Sequence, residues 1–96
     1  QLHSLRDQLG THVKVIEAAG SVGGTWHHNR YPGARCDSES HSYMFYFSKA
    51  LVASWDWSER YPQQPEILRY MNHVADKYDL RPLIRFNTGV AALAFE

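Results

Sequence analysis

Apolar positions mark out the elements of this chain. Leu2, Leu5 and Leu9 share one helical face, and Gly10 follows where a helix would stop. Val13, Lys14 and Val15 alternate apolar and polar before Ile16 and Glu17, the pattern of a short buried strand with an acid at its end. Ile67, Leu68, Met71, Val74, Ala75 and Tyr78 recur at helical spacing over residues 65–78. Pro65 suits the first turn of that helix, where no N–H is needed, and Glu66 complements the positive end of its dipole. A shorter helix is expected near residues 49–54, and strands at residues 83–86 and 90–95. Helix, glycine, strand and acidic end make the second half of a βαβ unit, so the alternation predicts an α/β fold.

Residues 18–42 break this rhythm with Gly, Ser, Asn and Pro. A loop of that length in a compact domain is functional or disordered. Trp26, Tyr31 and Tyr43 argue for order, because aromatic side chains gain by packing. A second aromatic run, from Tyr43 through Phe45, Tyr46, Phe47, Trp55 and Trp57 to Tyr61, fits core and cofactor-wall packing. It is poor in interleaved basic residues and so does not suit a nucleic-acid platform.

Composition narrows the picture further. The chain has 96 residues, with ten basic and ten acidic side chains, so no charge excess favours nucleic acid or a membrane surface. The single cysteine, Cys36, permits no internal disulfide and fits a reducing, cytoplasmic setting. No apolar run reaches the ~18 residues of a membrane span, and the N-terminus carries no signal segment. The chain opens inside a predicted helix and is short for a whole domain, from which a fragment is expected.

Candidate chemistry gathers at residues 17–43. Glu17, at a strand end, is placed to accept hydrogen bonds from ribose hydroxyls, although an exposed acid is common there. Gly23 and Gly24 let the backbone approach a ligand, or simply turn the chain. Thr25 and Trp26 add a hydroxyl and a flat indole, suited to a polar aromatic cofactor. Arg30, Arg35 and Asp37 surround a Tyr-Pro-Gly turn; the arginines offer forks of donors for phosphate or carboxylate, or surface ion pairs worth ~0–1 kcal/mol. His27, His28, Cys36 and His41 lack zinc-site spacing, so no metal is expected, and nothing local marks a base that would activate Cys36.

The order of an acidic strand end, Gly-Gly-Thr-Trp at residues 23–26 and Asn-Arg-Tyr-Pro-Gly at residues 29–33 resembles the FAD-binding domain of type I Baeyer–Villiger monooxygenases. Ala-Arg-Cys-Asp at residues 34–37, Trp-Asp-Trp at 55–57, Glu-Arg-Tyr at 59–61 and Gln-Pro-Glu-Ile-Leu-Arg-Tyr at 64–70 extend the likeness over nearly the whole chain. The resemblance implies a fragment, residues 1–96, of one Rossmann-like FAD-binding domain, a three-layer fold with a parallel sheet. The first strand and its Gly-x-Gly-x-x-Gly turn, the NADP domain and the downstream family signature are missing, so the isolated chain is expected to be inactive. It further implies FAD and NADPH as cofactors, with O₂ and a ketone as substrates. Oxygen would be inserted beside the ketone, through a C4a-peroxyflavin, to give an ester or lactone.

The same resemblance places Glu17 at the FAD ribose and Gly24, Thr25, Trp26, His27, His28 and Tyr43 along FAD. Arg35, Cys36 and Asp37 border the nicotinamide cofactor. Asp37 lies near the isoalloxazine ring and positions a catalytic arginine from a later region. The family usually has aromatic residues where His27 and His28 stand, which alters flavin packing. The alternatives are a related N- or S-oxygenating flavin monooxygenase, or a non-catalytic remnant or binding module.

Overall fold

The structure, a computed structural model, describes residues 1–95. The chain divides into two compact units, one formed by residues 1–22 with the segment from Ala75 onward, the other by residues 23–74.

In the first unit, the leucine-patterned start coils as a wide helical turn over Ser4–Gln8, with the Leu9 N–H donating to Ser4 O at 3.2 Å. Gly10 ends it with φ +64°, as its position predicts. Strand β1, Val15–Ile16, pairs in parallel with β2, Ile84–Arg85; Val15 stands opposite Ile84 and Ile16 opposite Arg85. Hydrogen bonding continues past both strands. The Glu17 N–H donates to Arg85 O at 2.9 Å, Thr88 N–H to Glu17 O at 3.0 Å and Asn87 N–H to Ala19 O at 2.9 Å. The predicted strands at residues 13–17 and 83–86 are therefore present but shorter. The strand expected at residues 90–95 is not: no strand forms there, and Leu93 and Phe95 are 90% and 104% exposed. An apolar run is only a strand where a partner completes its ladder.

Helix α3, Gln64–Lys77, matches the predicted long helix to within one residue at each end. Its last turn lies in the first unit and closes in a Schellman motif. Leu80 N–H donates to Ala75 O at 2.9 Å and Asp79 N–H to Asp76 O at 3.3 Å, with Asp79 at φ +51°. The Arg6 guanidinium donates to Tyr78 O at 2.5 Å and Asp79 O at 2.9 Å, so a cation meets the negative end of the helix dipole.

The second unit opens with the single turn α1, Thr25–His28. A tight turn follows, with Ala34 N–H donating to Tyr31 O at 3.1 Å; Pro32 at its second position and Gly33 at φ +83° are the type II arrangement. The chain then runs antiparallel to residues 62–64: Cys36 N–H donates to Pro62 O and Gln64 N–H to Ala34 O, both at 2.9 Å, around an Arg35–Gln63 bridge. Helix α2, Lys49–Ala53, begins at Ser48, whose hydroxyl accepts from Leu51 N–H.

The core of this unit is Leu51, Ile67 and Tyr70, fully buried, with Pro62, Ala34, Cys36 and Val74. Trp57 and Trp55 lie 5.0 and 5.4 Å from the Tyr70 ring. The Tyr70 hydroxyl accepts from Phe45 N–H at 2.9 Å, which ties the second aromatic run to α3. That run is only partly core, since Tyr43, Phe45, Tyr46 and Phe47 remain exposed.

Candidate cofactor-binding site

Glu17 in the first unit is half-buried and held on both sides of its main chain by the extended β1–β2 pairing. Its Oε1 accepts from Ala19 N–H at 3.0 Å, which fixes the carboxylate just beyond the strand end. Oε2 keeps its lone pairs for hydroxyl donors, the acceptor that a ribose requires.

The remaining candidates lie in the second unit. Gly23 has φ +123°, and a Cβ built there would stand 2.6 Å from Leu68 Cδ1; Gly24 has φ +53° with nothing within 4 Å of its Cβ position. Gly23 is thus required by its backbone, whereas Gly24 leaves the space at its Cβ position open to an approaching group. Trp26 Nε1–H donates to the Tyr43 hydroxyl at 3.1 Å, and the two rings meet edge to face with centroids 6.1 Å apart. The Tyr43 O–H proton is still available to a ligand. With exposed Thr25 beside them, these groups form a polar, aromatic surface that fits a flavin cofactor.

The rings of His27 and His28 stand 5.1 Å apart at 79°. Arg30 donates to His27 O at 2.7 Å and to His27 Nδ1 at 3.2 Å. Because guanidinium only donates, Nδ1 is an acceptor and the ring proton sits on Nε2. Among the described residues, no three of His, Cys, Asp and Glu converge as a metal site would require.

Residues 34–37 alternate by burial. Ala34 and Cys36 are buried, while Arg35 and Asp37 face solvent, as an extended segment with period two demands. The Cys36 thiol accordingly points inward and accepts from Ser38 N–H at 3.4 Å, and its main-chain N–H is taken by Pro62 O, so what this residue can offer a ligand is its carbonyl rather than its sulfur. Arg35 pairs with Glu59 at 3.6 Å, not with Asp37. Asp37 has no hydrogen-bond or ionic partner among the described residues, leaving its carboxylate free for a group from elsewhere.

Gln64 and Tyr70, to which the sequence pattern assigns no role, stand behind this surface. Gln64, buried at the start of α3, donates from Nε2 to Trp26 O at 2.5 Å. Tyr70 and Met71 join Ser42, Tyr43, Met44 and Phe45 around a pocket of about 290 Å³. The Gln-Pro start of α3 marked a helix, but nothing in it signals which way an amide turns.

No protein-family profile matches the chain. It is similar to acetone monooxygenase (methyl acetate-forming) from Gordonia sp. (strain TY-5), 47% identical over 96 residues, which is all of this chain and 18% of that one. It is also similar to phenazine N-monooxygenase from Lysobacter antibioticus, 44% identical over 95 residues, or 99% of this chain and 18% of that one. Among solved structures, an oxidized steroid monooxygenase bound to NADP is 56% identical with a TM-score of 0.86, covering 90% of this chain and 16% of that one. OTEMO in complex with FAD and NADP is 48% identical with a TM-score of 0.85, covering 95% and 17%. The chain therefore spans less than a fifth of the length of these relatives. Sequence and fold together match it to one segment of the Baeyer–Villiger monooxygenases and related flavin monooxygenases, as its Gly-Gly-Thr-Trp and Asn-Arg-Tyr-Pro-Gly motifs indicate.

Proposed function

We propose that this chain is part of the Rossmann-like FAD-binding domain of a cytoplasmic, NADPH- and FAD-dependent Baeyer–Villiger monooxygenase. The intact enzyme would insert one oxygen atom of O₂ beside a ketone carbonyl to give an ester or lactone, the second atom leaving as water. The observation that carries this reading is 47% identity, along the entire chain, to a relative named for forming methyl acetate from acetone. When bound, FAD reduced by NADPH supplies the electrons that activate O₂.

The chain's own residues bind and orient. Glu17 accepts the ribose hydroxyls of FAD. Gly24, Thr25 and the Trp26–Tyr43 pair line the cofactor with main chain, hydroxyl and aromatic faces, and His27 and His28 extend that wall. Arg35, the main chain of Cys36 and Asp37 border the nicotinamide cofactor. Asp37, whose carboxylate is exposed and uncommitted, holds a cation from outside this chain beside the reacting oxygen, where positive charge favours the anionic form.

A second reading is oxygenation of nitrogen, favoured by 44% identity to a phenazine N-monooxygenase over 99% of the chain. The test is to purify the intact protein, record its flavin spectrum and supply NADPH, O₂ and either simple ketones or N-heteroaromatic substrates. Ester formation supports the first reading and N-oxide formation the second. A protein that binds no flavin defeats both, and leaves a non-catalytic module.

A further inference from the structure

Helix α1 is a single turn, too short to hold its shape by its own hydrogen bonds, and no side chain caps its start. The Trp26 carbonyl lies within that turn, among those a helix end leaves without an internal donor. Gln64 fills this gap. Its amide donates to Trp26 O at 2.5 Å while its main-chain N–H donates to Ala34 O at 2.9 Å. One buried residue at the head of α3 thus grips both the turn that carries Thr25 and Trp26 and the extended segment that leads to Arg35 and Asp37. Burial makes the amide demanding as well as useful, because an amide hidden from water needs its partner.

Resting on the reading of this surface as an FAD and nicotinamide site, we propose that Gln64 is a positioning residue that sets the geometry of the Trp26 turn relative to Arg35–Asp37, and so tunes flavin binding without touching the flavin. The specific requirement is a donor aimed at the Trp26 carbonyl. Glutamate has the size of glutamine but presents a second oxygen to that carbonyl until it takes up a proton, when its O–H can donate. Leucine has similar bulk and never donates.

The test uses the intact protein, its Gln64→Glu and Gln64→Leu variants, FAD titration and the visible flavin spectrum at pH 8 and pH 6. At pH 8 both variants are expected to bind FAD about tenfold more weakly than the unaltered protein, with shifted flavin bands. At pH 6 Gln64→Glu is expected to return to within about threefold of the unaltered protein, as a carboxyl facing a carbonyl takes its proton readily, whereas Gln64→Leu stays weak. Equal losses in both variants at both pH values indicate packing alone and overturn the assignment, as does FAD affinity unchanged in Gln64→Leu. An unaltered protein that takes up no FAD fails the functional reading itself; normal uptake with unaffected variants fails only this inference.

Discussion

The indole N–H of Trp26 donates to the hydroxyl of Tyr43 at 3.1 Å, joining residues seventeen positions apart on one exposed surface. The hydroxyl oxygen is occupied as an acceptor, which turns its own proton outward as a donor. Replacing Tyr43 with Phe keeps the edge-to-face ring contact but removes both functions. The lost exchange is worth about 0.5–1.5 kcal/mol, so FAD affinity of the intact protein should fall roughly two- to tenfold. Isothermal titration of Tyr43→Phe checks this, and an unchanged dissociation constant assigns the hydroxyl no part in binding.

Acid should act through Glu39. Arg60 donates from both Nε and Nη2 to Glu39 Oε1, and His41 Nε2 lies 3.2 Å from Oε2. The Arg60 hydrogen bonds hold the Glu39 carboxyl below the usual carboxylate range, with the Arg60 charge and then His41 adding to the effect. A carboxyl depressed in the folded state contributes stability above its unfolded pKa, about 4.3, and that contribution disappears as pH falls through the folded value. Melting temperature should therefore drop more steeply below about pH 4.3 in the unaltered protein than in Glu39→Gln, which has no proton to take up there. Added salt should narrow the gap, since the pair is solvent-screened. Parallel acid limbs for the two proteins would remove Glu39 from the linkage.

Periodicity revealed the elements whose signal is local. The stripe from Ile67 to Ala75 gave α3, and Pro32 with Gly33 gave the turn that aims the chain toward Arg35. Tyr70 lies outside that stripe, yet it is fully buried and its hydroxyl accepts from Phe45 N–H. The Val90 to Phe95 segment misled: its apolar character is real, but a strand is a property of a pair. Within the candidate site, Trp26 and the glycine pair stand out by residue type, and Tyr43 by the family resemblance. Gln64 does not stand out, because its role is set by a partner thirty-eight residues away. The inward turn of the Cys36 thiol likewise depends on pairing with residues 62–64.

Asp79 occupies the left-handed position of the Schellman motif that ends α3, at φ +51°. A side chain there costs about 1–2 kcal/mol, eased for aspartate, while glycine adopts the conformation freely but loses more chain entropy on folding. The conformational gain should win by a narrow margin. Asp79→Gly is expected to raise stability by about 0.5–1 kcal/mol, read by chemical denaturation. The Arg6 contacts would persist, since they go to main-chain oxygens of Tyr78 and Asp79. A destabilised variant would mean that the aspartate carboxylate supplies more than its backbone shape.

Gly23 should tolerate no side chain. Its φ of +123° is strained for any L-residue, and an added Cβ would stand 2.6 Å from Leu68 Cδ1 and 3.3 Å from His27 N. The leucine tip can swing aside, so backbone strain dominates the cost, about 1–3 kcal/mol. Gly24, at φ +53° and ψ −119°, is likewise in a region only glycine enters easily, but has nothing within 4 Å of its Cβ position. Ala substitution should therefore lower the melting temperature at both positions, because both backbones are strained for a residue with a side chain. FAD affinity is the separate readout at Gly24, where an added methyl would stand in the path of an approaching cofactor.

Asp37 is exposed, and among the described residues its carboxylate meets neither a hydrogen-bond donor nor a cation. Removing the carboxylate should therefore cost almost no folding stability, within about 0.5 kcal/mol for a surface change of this kind. Catalysis should suffer much more if the proposed function is right, because a cation held beside developing negative charge is worth about a hundredfold or more in rate. In the intact protein, Asp37→Ala is expected to keep its FAD and its melting temperature while losing most ester formation. Asp37→Asn separates charge from shape: it retains a hydrogen-bonding group of the same size, so a rate as low as that of the alanine variant identifies the negative charge as what matters. Normal turnover of ketone by Asp37→Ala would end the positioning role, and loss of FAD together with activity would move Asp37 from the reacting centre to cofactor retention.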